Sequence, residues 1–291
     1  SFSTGPSFGD VNADGYPDLF VGNYFQEFKG KLGVLKDATI VSANETAKGY
    51  LLINKGGKYF ENEYDDYGLN HKGFGFGALF TDYDNDGDQD LLVNQDFGYK
   101  AVPNFLYENL YPKDEFRDVS QETGMDLKIN AMGSAGGDYD NDGLLDYFVT
   151  NIKFNWFMHN KGKDELFVDR AKELNTYNLA ISWGANFTDF DHDGDLDLFV
   201  GGRVVPGRYP YAPNSYLLLN DGGGNFTDAT AQIAPDLQHV GMVNDAVWTD
   251  LDGDNDLDLV LAGEWTAIEF FRNDVSGPTG TFNRITEEMG T

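Results

Sequence analysis

The chain alternates short apolar or aromatic runs with polar, glycine-containing turns, and five of these turns are copies of one Asp-rich loop. Each copy has apolar residues on both sides, as in PSFGDVNADGYPDLFVGN and ANFTDFDHDGDLDLFVGG. The first aspartate of the five copies stands at positions 10, 82, 138, 189 and 250. Short runs rich in β-branched and aromatic residues, bounded by turn residues, are typical of β-strands. Each loop is therefore predicted to join the two strands of a hairpin.

A second predicted hairpin follows each Asp-rich loop. It consists of a short apolar strand, a polar turn and an aromatic strand, and its copies begin at residues 50, 104, 156, 215 and 268. Two hairpins give four strands in about 50–60 residues, which matches one blade of a β-propeller. The sequence therefore predicts an all-β fold, with residues 1–291 forming a single β-propeller of five four-stranded blades.

The two ends of the chain are predicted to complete one blade together. The chain begins inside one hairpin and stops just after another, so residues 281–287 would pair beside residues 6–10. Such pairing would hide strand edges that an open sheet exposes. Two rival folds fit less well, because a parallel β-roll needs a nine-residue period and a helical solenoid needs a 3.6-residue period.

The negative charge of the chain disfavours certain classes of partner. Its 291 residues include 49 acidic and 20 basic side chains, for a formal net charge of −29. Such a chain is repelled by nucleic-acid phosphates and by anionic membrane surfaces. No apolar run approaches the roughly 18 residues that span a bilayer. We therefore expect no nucleic-acid partner and no membrane insertion.

The spacing of oxygen-bearing side chains in each loop predicts a calcium site. With the first aspartate as position 1, carboxylates or amides occupy positions 1, 3, 5 and 9, and alternate residues of a curled loop can direct their oxygens to one centre. Ca²⁺ accepts about six to eight oxygen ligands without strict geometry. The predicted side-chain ligands are Asp10, Asn12, Asp14 and Asp18; Asp82, Asp84, Asp86 and Asp90; Asp138, Asp140, Asp142 and Asp146; Asp189, Asp191, Asp193 and Asp197; and Asp250, Asp252, Asp254 and Asp258.

Two further loop positions agree with this prediction. Position 6 is glycine in four loops, where the chain must turn through positive φ, and is Asn255 in the fifth. Position 7 is expected to supply a backbone carbonyl, which explains why its identity varies among Tyr16, Asp88, Leu144, Asp195 and Asp256.

Other metal sites fit less well. An EF-hand needs a bidentate Glu at position 12 between helices, whereas position 12 here is Val or Leu. Mg²⁺ prefers a small, water-rich shell, and Zn²⁺ prefers His or Cys ligands. His192 at position 4 of its loop is expected to be solvated. Crowded carboxylates repel one another without a cation, so about five Ca²⁺ ions are predicted to be part of the fold.

The unit DxDxDGxxDLxVxN, preceded by a short apolar strand, resembles the FG-GAP or VCBS repeat of integrin α-subunit propellers and bacterial surface proteins. Residues 201–273 further resemble the large secreted VCBS-repeat proteins of Bacteroidetes-like bacteria. The resemblance implies calcium in the loops on the propeller rim and a secreted or cell-surface protein of bacterial origin. Propellers of this family usually have seven blades, so the alternative to five blades is a fragment of a seven-bladed propeller.

Three functions are open at this point. The first is a binding or adhesion module for protein or carbohydrate at the cell surface, because propellers present loops on two faces around a channel. Two insertions stand out, residues 24–48 and residues 203–216. The second insertion combines aromatic and cationic side chains suited to sugar stacking or protein contact, and its candidate ligand-binding residues are Arg203, Arg208, Tyr209 and Tyr211.

The second open function is a polysaccharide lyase or hydrolase on a calcium-stabilised propeller. A lyase needs a general base and a group that neutralises a uronate. The available candidates are His71, His159, His239, Tyr209 and Arg208. No spacing links them into a catalytic constellation, and no catalytic residue is predicted. The third function is an architectural part of a larger secreted assembly.

Overall fold

The computed structural model describes residues 3–24, 46–177, 181–275 and 280–290. Most of the insertion at residues 24–48 therefore lies outside the described residues. Within them the protein is all-β apart from two short α-helices, Ser120–Thr123 (α1) and Thr230–Ile233 (α2), and a 3₁₀ turn at Pro235–Leu237. None of the helices in these ranges has the length and apolar character needed to cross a bilayer.

The strands of the described residues form five four-stranded antiparallel sheets, as the sequence predicts for propeller-type blades. In chain order they are β1 Ser3–Gly9, β2 Asp18–Asn23, β3 Tyr50–Asn54, β4 Phe60–Asn62, β5 Gly75–Thr81, β6 Asp90–Gln95, β7 Phe105–Asn109, β8 Phe116–Asp118, β9 Ala131–Gly137, β10 Asp146–Asn151, β11 Trp156–His159, β12 Val168–Asp169, β13 Ile181–Thr188, β14 Asp197–Val204, β15 Tyr216–Asn220, β16 Phe226–Asp228, β17 Met242–Thr249, β18 Asp258–Glu264, β19 Glu269–Asn273 and β20 Phe282–Arg284.

Each sheet is built from four strands that are consecutive in sequence. The Asp-rich loop joins the first strand to the second, and the other predicted hairpin supplies the third and fourth strands. In the fourth sheet the last residue of β13, Thr188, pairs with the first residue of β14, Asp197, on either side of the loop. The residue at loop position 9 is thus the first residue of the second strand in every sheet. Both predicted hairpins are confirmed.

The chain ends do not share a sheet in this structure. Strand β1 pairs with β2 in the first sheet, and β20 pairs with β19 in the fifth. The prediction that residues 281–287 and 6–10 complete one blade is therefore wrong. The physical reason is that each end already belongs to a complete hairpin, and pairing within a hairpin requires closing only a short loop.

The described chain divides into two compact units, residues 1–133 with 160–168 and residues 134–159 with 169–291. In the first unit, the facing sides of the first two sheets enclose a buried cluster that includes Phe20, Leu51, Leu91 and Phe105. The second unit contains two clusters, one around Phe148 and Phe226 and one around Phe199, Leu259 and Phe271. Burial of apolar area between neighbouring sheets is the main favourable term of each unit.

An asparagine at the end of the third strand links neighbouring sheets. We call this contact the Asn bridge: the side-chain amide donates to the backbone carbonyl of loop position 2 in the preceding sheet. Within the part of the chain that the structure describes, Asn bridges run from Asn109 to Val11 at 2.8 Å, from Asn160 to Tyr83 at 2.8 Å, from Asn220 to Tyr139 at 2.7 Å and from Asn273 to Phe190 at 2.8 Å. The Asn bridge holds each of these loops against the sheet that follows it.

Replacing Asn220 by Ala should lower the free energy of unfolding by about 2 kcal/mol, because the buried Tyr139 carbonyl would be left without its donor. Asn220 is 4% exposed, and its amide also donates to the Leu196 carbonyl at 3.1 Å. Chemical denaturation followed by circular dichroism measures the loss. The matched control is Asn225→Ala on the same hairpin, where the side chain is exposed. Equal stability of the two variants would contradict the Asn bridge.

Candidate functional site

The Asp-rich loops are curled by two left-handed residues each. Position 6 has positive φ in all five loops, with values of 86°, 95°, 89° and 97° at Gly15, Gly87, Gly143 and Gly194 and 76° at Asn255. This confirms the prediction for position 6. Position 4 is also left-handed in every loop, which sequence reasoning missed. In the fifth loop the glycine is Gly253 at position 4 and the non-glycine residue is Asn255 at position 6, the reverse of the other loops. Both residues have positive φ, so the backbone keeps the same path.

Carboxylates at positions 1 and 5 hold the curl by accepting hydrogen bonds from the loop backbone. In the third loop, Asp138 Oδ1 accepts the N–H of Asp142 at 3.0 Å, and Asp138 Oδ2 accepts the N–H of Gly143 at 2.9 Å. Asp142 Oδ1 in turn accepts the N–H of Leu144 at 2.9 Å. The bond from position 6 to position 1 and the bond from position 7 to position 5 recur in all five loops.

The carboxylate at position 9 is fully buried in every loop. In the fourth loop, Asp197 Oδ2 accepts the N–H of Phe190 at 3.2 Å, and its Oδ1 accepts the N–H of Asn220 at 2.9 Å. Burial raises the pKa of Asp197 to about 8, with a further increase from neighbouring loop carboxylates, although the two backbone N–H groups lower it. Burial likewise raises the pKa of Asp90 to about 8. These buried groups favour either a proton or a nearby cation.

Within the described residues, four loops bring at least three acidic oxygens within 4.8 Å of one another. The groups are Asp82, Asp84 and Asp86; Asp138, Asp140 and Asp142; Asp189, Asp191 and Asp197; and Asp250, Asp252 and Asp254. The first loop, which has Asn12 at position 3, is not among these groups. The loop geometry therefore brings together most of the predicted side-chain ligands at positions 1, 3 and 5. Position 9 joins such a group in the fourth loop and, as Asp146 with Asp140 and His159, in the third loop.

Several oxygens of these clusters are buried without a hydrogen-bond donor. They are Asp84 Oδ1, Asp140 Oδ1 and Asp189 Oδ1, together with Asp88 Oδ1 at position 7. A buried carboxylate oxygen without a partner is costly, and a hard cation with oxygen ligands is the partner that would satisfy it. The donor set therefore fits Ca²⁺.

Basic side chains of the second hairpins approach two of the clusters, a contact that the sequence pattern did not reveal. Lys163 Nζ lies 2.6 Å from Asp84 Oδ2. His159 Nδ1 lies 3.0 Å from Asp146 Oδ1 and 3.8 Å from Asp140 Oδ2, so the third loop has an imidazole beside its carboxylates. Both basic residues belong to the second hairpin of the third sheet, His159 just before the bridging Asn160 and Lys163 in the turn that follows it.

Neighbouring loops also contact one another in the second unit. Asn141 at position 4 of the third loop donates to Asp195 Oδ1 at position 7 of the fourth loop, at 2.9 Å. His192 at position 4 of the fourth loop lies with Nε2 3.0 Å from Asp256 Oδ1 at position 7 of the fifth. His192 is therefore exposed, as predicted, but is paired as well as solvated. The position-7 carboxylates of the fourth and fifth loops, Asp195 and Asp256, thus have side-chain partners of their own. In these two loops the position-7 backbone carbonyl remains the expected ligand.

The insertion at residues 203–216 brings two of its four candidate ligand-binding residues together. Arg203 and the Tyr209 hydroxyl both donate to the carboxylate of Glu264. Tyr211 lies apart from this pair, with its ring centroid 5.7 Å from that of His239. The backbone N–H of Arg208 donates to the Val205 carbonyl at 3.0 Å in the turn that positions Tyr209.

The histidines considered as general bases each have local partners. His71 Nδ1 lies 2.9 Å from the Tyr107 hydroxyl, and its Nε2 lies 3.4 Å from Asp118 Oδ2. His239 Nδ1 lies 3.0 Å from the Ala212 carbonyl oxygen. His159 is engaged with the third Asp-rich loop, so each histidine has a separate environment.

The Asp-rich loops belong to a known repeat. Residues 106–200 match the FG-GAP-like repeat family, and residues 2–35 match the FG-GAP repeat family. Two stretches of the chain therefore match FG-GAP-type repeats. The matched stretches contain the first, third and fourth Asp-rich loops, and the FG-GAP resemblance inferred from the sequence is thereby confirmed.

One curated relative of the chain is Cartilage acidic protein 1 of Xenopus tropicalis, which is 30% identical over 167 residues. The match covers 54% of the chain and 25% of the relative. The chain therefore spans about a quarter of the length of that relative.

Two solved structures are similar to the chain at low identity. An Agrocybe aegerita lectin that recognises non-reducing terminal N-acetylglucosamine has a TM-score of 0.47 and 16% identity, covering 96% of this chain and 64% of the lectin. A Bacillus licheniformis rhamnogalacturonan lyase has a TM-score of 0.44 and 13% identity, covering 97% of this chain and 50% of the lyase. At these TM-scores the likeness carries no functional argument.

In excess chelator, the protein should melt at a higher temperature at about pH 5.5 than at about pH 8. The pKa of Asp90 and of Asp197 is about 8 in the folded protein, against 3.8 for an ordinary aspartate. Between these values the folded state binds more protons than the unfolded state, so stability falls as the pH rises. Differential scanning calorimetry measures the trend.

Asp197→Asn is the matched variant for this pH prediction, because the amide keeps the shape of the side chain and does not titrate. Its melting temperature should depend less steeply on pH than that of the unmodified protein. A chelated protein that melts at a lower temperature at about pH 5.5 would contradict the prediction.

Proposed function

We propose that the protein is an extracellular calcium-binding propeller that serves as a binding, adhesion or surface-assembly module for protein or glycan partners. The observation that carries the proposal is the set of convergent loop carboxylates with buried, unpartnered oxygens at Asp84, Asp140 and Asp189. The FG-GAP-type repeats matched at residues 2–35 and 106–200 support a propeller-type binding module. The proposal covers residues 1–291 as one propeller displayed at a cell surface or secreted.

In this proposal each loop holds one Ca²⁺, giving about five ions. The side-chain ligands are those at positions 1, 3, 5 and 9, and the backbone carbonyl of position 7 completes the set. The ions would offset about a third of the formal charge of −29, and they would remove the repulsion between carboxylates that the curl forces together. Calcium is therefore proposed as a structural cofactor that keeps the loops and their sheets in register.

Binding rather than catalysis is proposed because of where the polar side chains lie. The Tyr107 hydroxyl beside His71 is buried, and burial raises the pKa of Tyr107 well above its usual value, so this hydroxyl is unsuited to act as a base. Arg203 and Tyr209, by contrast, flank an exposed surface with rigid aromatic and charged groups. Such groups suit recognition of a partner.

Calcium at about 1 mM should raise the melting temperature by at least about 10 °C over the chelated protein, because a ligand that binds only the folded state stabilises it by mass action. Thermal unfolding followed by circular dichroism gives the shift, and isothermal titration calorimetry gives the number of ions. Mg²⁺ at the same concentration is the control and should raise the melting temperature much less.

Asp142→Asn tests one loop within the whole protein. It removes a charge at position 5 while its amide oxygen can still accept the N–H of Leu144, so the calorimetric stoichiometry should fall by about one ion. Identical melting curves in calcium and in chelator would exclude a structural calcium role.

A further inference from the structure

We propose that Trp265, Tyr209, Glu264 and Arg203 form a binding site for a neutral glycan, with one pyranose ring stacked on the Trp265 indole. This inference rests on the proposed function as a binding module and names its ligand class. All four residues belong to the second unit, where strands β14 and β18 bring them together.

Trp265 is held in an unusual position for a large aromatic residue. Its side chain is 75% exposed, and its backbone is left-handed with φ 60°, a conformation that is rare for bulky residues. The indole Nε1–H donates to the Tyr209 hydroxyl at 2.9 Å. The ring is therefore fixed at its polar edge while most of its surface remains open to solvent. Backbone strain of this kind concentrates at ligand-binding sites.

Glu264 lies beside the indole with its carboxylate fixed by two donors. Oε1 accepts the Tyr209 hydroxyl at 2.5 Å, and Oε2 accepts the Arg203 guanidinium. These hydrogen bonds hold the pKa of Glu264 below its usual value, so the group is ionised at neutral pH. An ionised carboxylate keeps further lone pairs and can accept hydrogen bonds from ligand hydroxyls.

Arg203 packs on the ring of Trp183. Its guanidinium carbon lies 4.5 Å from the centroid of the Trp183 ring, in a cation–π arrangement, and its side chain is 12% exposed. The Arg203 Nε is buried and has no hydrogen-bond partner. Packing on Trp183 therefore fixes Arg203, which in turn fixes Glu264 and leaves a preorganised charged pair next to an exposed aromatic ring.

This combination of groups matches the chemistry of a sugar. A pyranose ring has an apolar C–H face that packs on an aromatic ring and a rim of hydroxyls that donate to carboxylates and accept from guanidinium or phenol groups. The formal charge of −29 disfavours anionic polymers, so a neutral glycan is the class that fits. A protein partner requires roughly 800 Å² of contact on each side with an apolar centre, more than one exposed indole provides.

The experiment uses the full chain in calcium and a panel of oligosaccharide probes. The neutral probes are hexamers of glucose, xylose, mannose, galactose and N-acetylglucosamine, and an oligogalacturonate is the anionic probe. Intrinsic tryptophan fluorescence and titration calorimetry give the dissociation constants. The variants are Trp265→Ala and Glu264→Gln, and the control is Tyr59→Ala, which removes a 60% exposed aromatic residue on the first sheet hairpin.

At least one neutral hexamer should bind the unmodified chain and Tyr59→Ala equally. Trp265→Ala should weaken that binding about tenfold, in keeping with the loss of an aromatic stacking partner. Glu264→Gln should weaken it in the same direction while its melting temperature in calcium stays unchanged, which separates a binding effect from misfolding.

Several outcomes would overturn the glycan site. The first is that no neutral hexamer binds, and the second is that the Trp265→Ala variant binds a neutral hexamer as tightly as the unmodified chain. The third is that only the oligogalacturonate binds. The fourth is that no sugar binds while a peptide selected from a random library binds at Trp265. Calcium stabilisation measured on the same samples separates this inference from the proposed function. If calcium raises the melting temperature but no oligosaccharide binds, only the glycan site is refuted. If calcium does not raise the melting temperature, the proposed calcium-binding module is refuted.

Discussion

The buried carboxylate at loop position 9 is the group on which the rest of each sheet depends. It lies at the start of the second strand and, in four sheets, accepts a backbone N–H from loop position 2, as Asp197 does from Phe190. In four sheets it also accepts the backbone N–H of the asparagine that ends the third strand. In the third and fourth loops it also belongs to a group of convergent ligand atoms. One side chain therefore ties the loop, the strands and the proposed ion together.

The same asparagine extends this arrangement to the neighbouring sheet. Its backbone is tied to its own loop, and its side chain forms the Asn bridge to position 2 of the preceding loop, as Asn273 does to Phe190. Two hydrogen bonds of the asparagine, one from its backbone and one from its side chain, thus connect the carboxylate of one loop to the neighbouring sheet. A change of charge in the loop can therefore affect how the sheets pack. This coupling gives a physical reason why calcium would stabilise sheets as well as loops, and why the carboxylates are retained despite their mutual repulsion.

The proposed recognition surface is built on this rigid framework. Glu264 ends strand β18, and Arg203 lies near the end of β14, so the framework of two adjacent sheets sets their separation. The loop that carries Tyr209 then needs to supply only one hydroxyl to join Glu264 to Trp265. The proposed calcium loops and the proposed glycan site would therefore have separate roles, the first in stability and the second in binding.

The sequence by itself determined the local features of this protein. Strand alternation, the loop spacing and Gly143 at a left-handed position are consequences of neighbouring residues, and all are present in the structure. Tertiary structure decided which distant groups meet: Lys163 with Asp84, and Arg203 with Glu264, 61 residues apart. It also placed the chain ends in separate sheets. The reason is that local patterns fix backbone conformation, whereas contacts between strands far apart in sequence depend on how whole sheets pack.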